Sequence, residues 1–268
     1  MIRVGLLGTG RIGRLHAETI ASHSESTLYA VSDIDSGSAN ELAVQYGAAL
    51  KSSEEIISDP NIDAILIATS TDTHAEFIEK ASLAGKAVLC EKPVDLSLSR
   101  AKECLKKVSA ANNPIMIGFN RRFDPNFAQL KKSLDDSEIG KSELLTITSF
   151  DPAPPPVSYV KTSGGLYRDM MIHDFDLSNF IMDELPVTIS AVGQSLINPE
   201  IGAAGDVDTA VVTMTYANGK IAIIKNSRRA AYGYDQRIEI LGSEGLLQAE
   251  NIVENSVVKS TKAGVLSA

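Results

Sequence analysis

The chain has 268 residues, enough for one large domain or two modest ones, and its 44% hydrophobic and 22% charged content supplies material for real cores. A formal net charge of -9 argues against the basic face that nucleic acid or an anionic membrane surface requires. Cys90 and Cys104 read as reduced, buried residues with neither metal-ligand nor disulfide spacing. No apolar run is long enough for a membrane span, and no cleavage site follows the first one. A cytoplasmic protein without a metal is expected.

Ile2 to Leu7 is a short apolar run suited to a strand buried on both faces. It ends in Gly8-Thr9-Gly10-Arg11-Ile12-Gly13, and a helical pattern carrying Ile12, Leu15, His16, Thr19 and Ile20 follows to about Ser22. Strand before and helix after give this glycine trio its context: a tight turn, a close backbone approach to a pyrophosphate, and close helix–strand packing. A second strand, Leu28 to Ser32, delivers Asp33 about twenty residues after the last glycine, where an acid binds the adenosine ribose and repels a 2′-phosphate. Asp35 adds charge and no arginine immediately follows, so NAD is expected rather than NADP.

Helices over Ser38 to Tyr46 and Ser53 to Ile57 lead to a strand within Asn61 to Ala68. Thr69-Ser70-Thr71-Asp72-Thr73-His74 is then a polar loop at a strand's carboxyl end, read either as a cofactor contact through His74 or as helix capping. After helix Ala75 to Ala84, strand Ala87 to Cys90 delivers Glu91-Lys92-Pro93 into the same crevice as the glycine loop, with Pro93 restraining Lys92. Helix Leu98 to Ala111 and strand Ile115 to Phe119 complete a doubly wound sheet. Arg121 and Arg122 either line a cleft or pair with acids across the domain junction.

The pattern then changes. A helix to Leu134 and a strand from Lys141 to Phe150 precede the prolines of 152–156, which cannot pair within a sheet and form a stiff loop beside the substrate. From Gly164-Gly165 a helix to about Asp183 carries Leu166, Met170, His173, Leu177 and Ile181 on one stripe. Asp169 stands one turn before His173, so the two side chains can meet, either as a satisfied core pair or as part of a site. Val187 to Leu196, Val207 to Tyr216, Ile221 to Arg228, Gln236 to Leu241 and Leu246 to Ala249 read as strands, with a hairpin at Asn218-Gly219. Tyr232 and Tyr234 either reach a substrate or pack at an interface.

Four segments together, GTGRIG, EKP, GFNRRFDP and GGLYRDMMIHDFD, resemble the Gfo/Idh/MocA oxidoreductases over nearly the whole chain. Tyr232 to Arg237 and Asp151 to Pro156 resemble the inositol 2-dehydrogenase branch in particular. The resemblance implies an α/β chain: an N-terminal Rossmann doubly wound parallel sheet (1–120) that binds NAD, and a C-terminal α+β domain (121–268) with an open, mostly antiparallel sheet that binds substrate and oligomerises. It implies Lys92, Asp169 and His173 as the catalytic set. The cofactor would be held by Gly8, Gly10, Arg11, Ile12, Gly13, Asp33, Thr69, Ser70, Thr71, His74, Glu91, Lys92 and Asn120. The substrate would meet Lys92, Asn120, Arg121, Asp151, Asp169, His173 and Tyr232. The implied reaction takes myo-inositol to 2-keto-myo-inositol with NADH formation, His173 acting as base and Lys92 stabilising alkoxide charge, roles that also suit an imidazole near neutrality and a fixed ammonium. A sugar such as glucose, or NAD binding without turnover, are the alternatives. The branch continues beyond this chain's last residue, Ala268, so a C-terminally shortened second domain is expected; the resemblance also implies a homo-oligomer, a dimer or tetramer formed through the C-terminal sheet.

Overall fold

Strand β1 (Ile2–Leu7) is buried continuously from Val4 onward, as a strand covered on both faces must be. The chain then alternates through α1 (Arg11–Ser22), β2 (Ser26–Ser32), α2 (Ser36–Tyr46), β3 (Ala49–Leu50), α3 (Ser53–Ser58), β4 (Ala64–Ile67), α4 (Thr71–Leu83), β5 (Ala87–Cys90), α5 (Leu98–Val108) and β6 (Ile115–Ile117). The six strands are parallel in the order β3-β2-β1-β4-β5-β6. One apolar cluster joins Leu6, Ala17, Ile20, Leu28 and Leu42, and another joins Leu7, Ile65, Ile67, Ala75, Ile78 and Cys104, so helices cover both faces. The strand order reverses between β1 and β4, the place where open α/β sheets bind ligands. Two-residue β3 escaped the sequence reading because a strand that short has no period.

The computed structural model describes residues 1–251 and the backbone of the antiparallel strand pair 258–261 and 264–267. Residues 252–257, 262–263 and 268, on which the expectation of a shortened domain partly falls, lie outside the described ones. The chain forms two compact units, Met1–Phe119 and a second beginning at Asn120.

The second unit opens with a short 3₁₀ turn at Asn120–Phe123 and α6 (Pro125–Asp135), whose first turn is capped by the Asp124 carboxylate. There follow β7 (Ser142–Phe150), α7 (Val157–Ser163), one wide π turn at Leu166–Met170, α8 (Ile172–Met182), β8 (Thr188–Gln194), α9 (Pro199–Ala203), β9 (Thr209–Thr215), β10 (Ile221–Ser227), β11 (Asp235–Gly242) and β12 (Leu246–Ala249). The sheet order is β12-β11-β7-β10-β9-β8, and every pairing is antiparallel except β7 with β10. Alternate residues Leu145, Ile147, Val212, Met214, Ala222, Ile224, Ile238 and Ile240 pack with Leu130, Leu177 and Ile181. The opposite face is open, with Val192, Val211, Ile221 and Leu241 exposed.

The long helix expected from Gly164 to Asp183 is two pieces. The Leu166 carbonyl accepts the N–H of Met171, five residues on, which widens the turn. A regular α-helix starts only at Ile172. Leu166, Met170, Leu177 and Ile181 are buried as expected; one extra residue in a turn leaves their spacing readable as a single helix. The prolines of 152–156 form no strand or helix, and Pro156 caps the unforeseen α7.

Candidate functional site

In the first unit, the loops after β1, β4 and β5 emerge at the carboxyl end of one parallel sheet. Gly8 has φ +96°, and a Cβ there would lie 2.4 Å from the Ala68 carbonyl oxygen. A Cβ on Gly13 would lie 2.0 Å from the Gly8 carbonyl oxygen, so both positions exclude a side chain. Gly10 is different: nothing lies within 4 Å of the side chain it lacks. It caps α1 without any side-chain hydrogen bond, so the first amides of that helix, including those of Arg11 and Ile12, face open space at the positive end of the dipole. Helices α2, α3 and α5 are capped by Asp35, Ser52 and Ser97, whereas α4, like α1, begins at a residue (Ser70) that gives no side-chain bond. The two uncapped helices follow β1 and β4, the strands flanking the switch point. That arrangement fits a dinucleotide phosphate group.

Asp33 accepts the Thr9 N–H at 2.5 Å, the Thr9 hydroxyl at 3.0 Å and the Asp35 N–H at 2.9 Å. Burial pushes its carboxyl up, but these donors hold it below the usual carboxylate range. A carboxylate so fixed fits a ribose diol and repels a 2′-phosphate. Thr69 and Thr73 share a 2.7 Å hydroxyl contact, Thr73 donates back to the Ser70 carbonyl, and Thr71 opens α4.

Lys92 is half-buried after β5, and its peptide bond to Pro93 is cis. The Glu91 carboxylate lies 2.7 Å from His16 Nε2 on α1. Burial raises its carboxyl, and His16 with the backbone N–H of Lys92 more than offsets that. His16, which the sequence reading left on a plain helix face, thus ties the glycine-loop helix to the lysine tripeptide. His74 is also a brace: its buried ring nitrogens lie 2.8 Å from the Pro93 carbonyl oxygen and 3.0 Å from that of Thr69. Both ring nitrogens are thus engaged by the protein, which gives His74 a bracing role between the loops after β4 and β5.

In the second unit, the buried face of the sheet turns polar at one end. Along β7 it reads Leu145, Ile147, Ser149 and then Asp151; along β10, Ala222, Ile224, Asn226 and then Arg228; along β11, Ile240, Ile238 and Gln236. Register puts Gln236, Ser149 and Asn226 in one row. Over that row lies Asp174, fully buried on the first turn of α8. It accepts Ser149 Oγ at 2.6 Å, Asn226 Nδ2 at 2.8 Å and the Arg121 guanidinium. Burial pushes the Asp174 carboxyl up, and these three donors oppose it.

Arg121 also donates to Ser149 at 2.8 Å, and Arg122 holds Asp176 at 2.7 Å. The tandem arginines therefore pair with acids of α8 inside their own unit. Asn120, Arg121, Phe123, Asp124, Phe127 and Gln236 line a recess beside this cluster. His173 is half-buried next to Asp174. Asp169 accepts the Tyr159 hydroxyl at 2.9 Å, and its other oxygen lies 3.5 Å from Arg228. Tyr232 is exposed, with its hydroxyl on Asp235 at 2.7 Å.

The sequence reading missed Ser149, Asp174, Asn226, Gln236 and Arg228. The signal was present: polar residues continue the period-2 core face at the ends of β7 and β10, where an apolar residue would be the default.

Residues 2–119 match the oxidoreductase family with an NAD-binding Rossmann fold, and residues 127–248 match the GFO/IDH/MocA C-terminal domain. The inositol 2-dehydrogenase of Rhizobium meliloti is 50% identical over 250 residues, covering 93% of this chain and 76% of that protein. The crystal structure of a myo-inositol dehydrogenase from Corynebacterium glutamicum superposes with a TM-score of 0.95 at 39% identity, covering all of this chain and 80% of that one. A Lactobacillus casei scyllo-inositol dehydrogenase, solved with NAD(H) and scyllo-inositol, gives 0.91 at 30% identity, covering 100% and 82%. With both halves matched and this degree of identity, the chain belongs to the Gfo/Idh/MocA oxidoreductases, its first unit being the family's NAD-binding Rossmann domain.

Proposed function

We propose that this oxidoreductase oxidises one ring hydroxyl of myo-inositol to the ketone with NAD as acceptor. The observation that carries the substrate is the 50% identity with an inositol 2-dehydrogenase across most of the chain. The chemistry of the second unit supports it: carboxylates, amides and an imidazole gathered at one sheet end suit a neutral ring that offers many hydroxyl donors and acceptors.

Bound at the glycine loop, NAD supplies the hydride acceptor. Everything else falls to the chain's own side chains. His173 takes the hydroxyl proton as general base, a task for which an imidazole is suited near neutral pH. The Lys92 ammonium offsets the negative charge that grows on the same oxygen. Asp169, oriented by the Tyr159 hydroxyl, holds a substrate hydroxyl and so fixes which carbon reacts. Asn120, Arg121, Asp151 and Tyr232 contribute further substrate contacts; Arg121 acts through a guanidinium already fixed on Asp174 and Ser149.

Among the described residues no helix is long and apolar enough to cross a membrane. We place the enzyme in the cytoplasm as a homo-oligomer that covers the open sheet face bearing Val192, Val211, Ile221 and Leu241. The test of the substrate is NADH formation with myo-inositol, scyllo-inositol and glucose in parallel. Fastest turnover on myo-inositol is expected, and faster turnover on glucose than on either inositol overturns the reading.

A further inference from the structure

Arg228 lies just past the end of β10 with only 2% of its surface exposed. Its backbone is fixed by an N–H bond to the Asp208 carbonyl at 2.8 Å. Its Nε and Nη2 are buried and make no hydrogen bond among the described residues. Burying a cation this way is unfavourable unless opposite charge lies close, and two carboxylates do. Asp169 Oδ2 is 3.5 Å from Nη2. Asp151 follows directly from the parallel pairing of Phe150 with Ser227, its backbone N–H bonded to the Ser227 carbonyl and its own carbonyl accepting the Ala230 N–H.

We propose that Arg228 is a positioning residue that holds the carboxyl groups of Asp151 and Asp169 side by side, so that both accept hydrogen bonds from hydroxyls of the polyol. This rests on the polyol reading given above. Two neighbouring carboxylates in a half-buried place discourage each other's ionisation. Burial pushes the Asp151 carboxyl up, Arg228 and then Arg121 pull it down, Asp169 and Asp174 push it up again, and the balance lies above the ordinary carboxylate value. The Tyr159 hydroxyl holds Asp169 from α7, and His173 stands one helical turn beyond Asp169. Arg121 is already engaged by Asp174 and Ser149. Arg228 is the cation with donors to spare. Its buried guanidinium, desolvated and aimed at carboxylates, acts through a low local dielectric.

The test uses Arg228→Gln and Arg228→Lys in the full chain. Removing the cation raises the Asp151 carboxyl pKa, so its titration should move up by about one pH unit or more in Arg228→Gln. KM should rise more than kcat falls, and Arg228→Lys should restore most of both. Calorimetric NAD affinity, set by the first unit, should stay within about twofold, and a cooperative unfolding transition in denaturant reports that the second unit is folded. Carbon-13 NMR titration of the aspartate carboxyls, with Asp151→Asn for assignment, reads the same shift without turnover. If no polyol is oxidised by the parent protein, the function reading falls while the NMR titration still decides the role of Arg228. Should Arg228→Gln fail to fold, the comparison of Arg228→Lys with the parent stands in its place, with a smaller shift of the same sign expected. An unmoved Asp151 titration in a folded variant overturns the proposal.

Discussion

The two units end their sheets in opposite ways. At the nucleotide end of the first, the working surface is backbone: three glycines, two helix starts without side-chain caps, and one carboxylate held by amides. At the corresponding polar end of the second, the surface is made of side chains that hold one another, Arg121, Ser149, Asp174, Asn226 and Gln236. A phosphate needs donors in a fixed curve, and backbone supplies them with little to disturb. A ring of hydroxyls needs acceptors and donors at many angles, which only side chains supply, and burying those makes each depend on the others.

The comparison can be broken most sharply in the second unit. His173→Ala should lower kcat by about 10²–10⁴-fold and leave calorimetric NAD affinity unchanged; a matching loss of NAD affinity would show that the division of labour is wrong. Asp174→Asn replaces one of the two acceptor oxygens with a donor among these donors and strands the Arg121 charge. It should cost about 3–5 kcal/mol of unfolding free energy in denaturant, and a loss under about 1 kcal/mol would mean that the cluster contributes little.

In the first unit the expected effects are smaller and local. Asp33→Ser removes a charged acceptor from the ribose site and should weaken NAD by about tenfold while improving NADP; unchanged discrimination would shift that role to another residue. The smallest effect concerns pH. Asp208, at the polar end of the second sheet, accepts the N–H groups of Leu196, Ile197 and Asn198. Burial raises its carboxyl, and those amides outweigh burial, so its value in the folded state lies below the ordinary one. Its stabilisation is therefore present above the unfolded value of about 3.9 and fades as pH falls through the folded value. Asp208→Asn should be less stable near neutrality and show a shallower loss in acid; parallel curves for the two proteins would contradict this.

Legibility in sequence follows the same division. Gly8, Gly10 and Gly13, with Asp33 after the next strand, sit within one βαβ stretch, and local spacing fixes where they go. The second unit's cluster joins Arg121, Ser149, Asp174 and Gln236, residues whose positions relative to one another depend on strand register and not on spacing. Asp174 was overlooked beside Asp169 and His173 because a 3.6 period cannot reveal the π turn that precedes α8. A polar loop at a strand end serves ligand and scaffold equally, so the sequence leaves the role of His74 open; the carbonyls beside both its nitrogens are visible only in the fold.

The most direct measurement follows one atom. With myo-inositol deuterated on the reacting carbon as sole substrate, the account predicts that the deuterium appears in the reduced nicotinamide and that turnover slows with the label. Deuterium released to water, or NADH formed without it, would contradict direct transfer from the ring carbon to the cofactor held by the first unit.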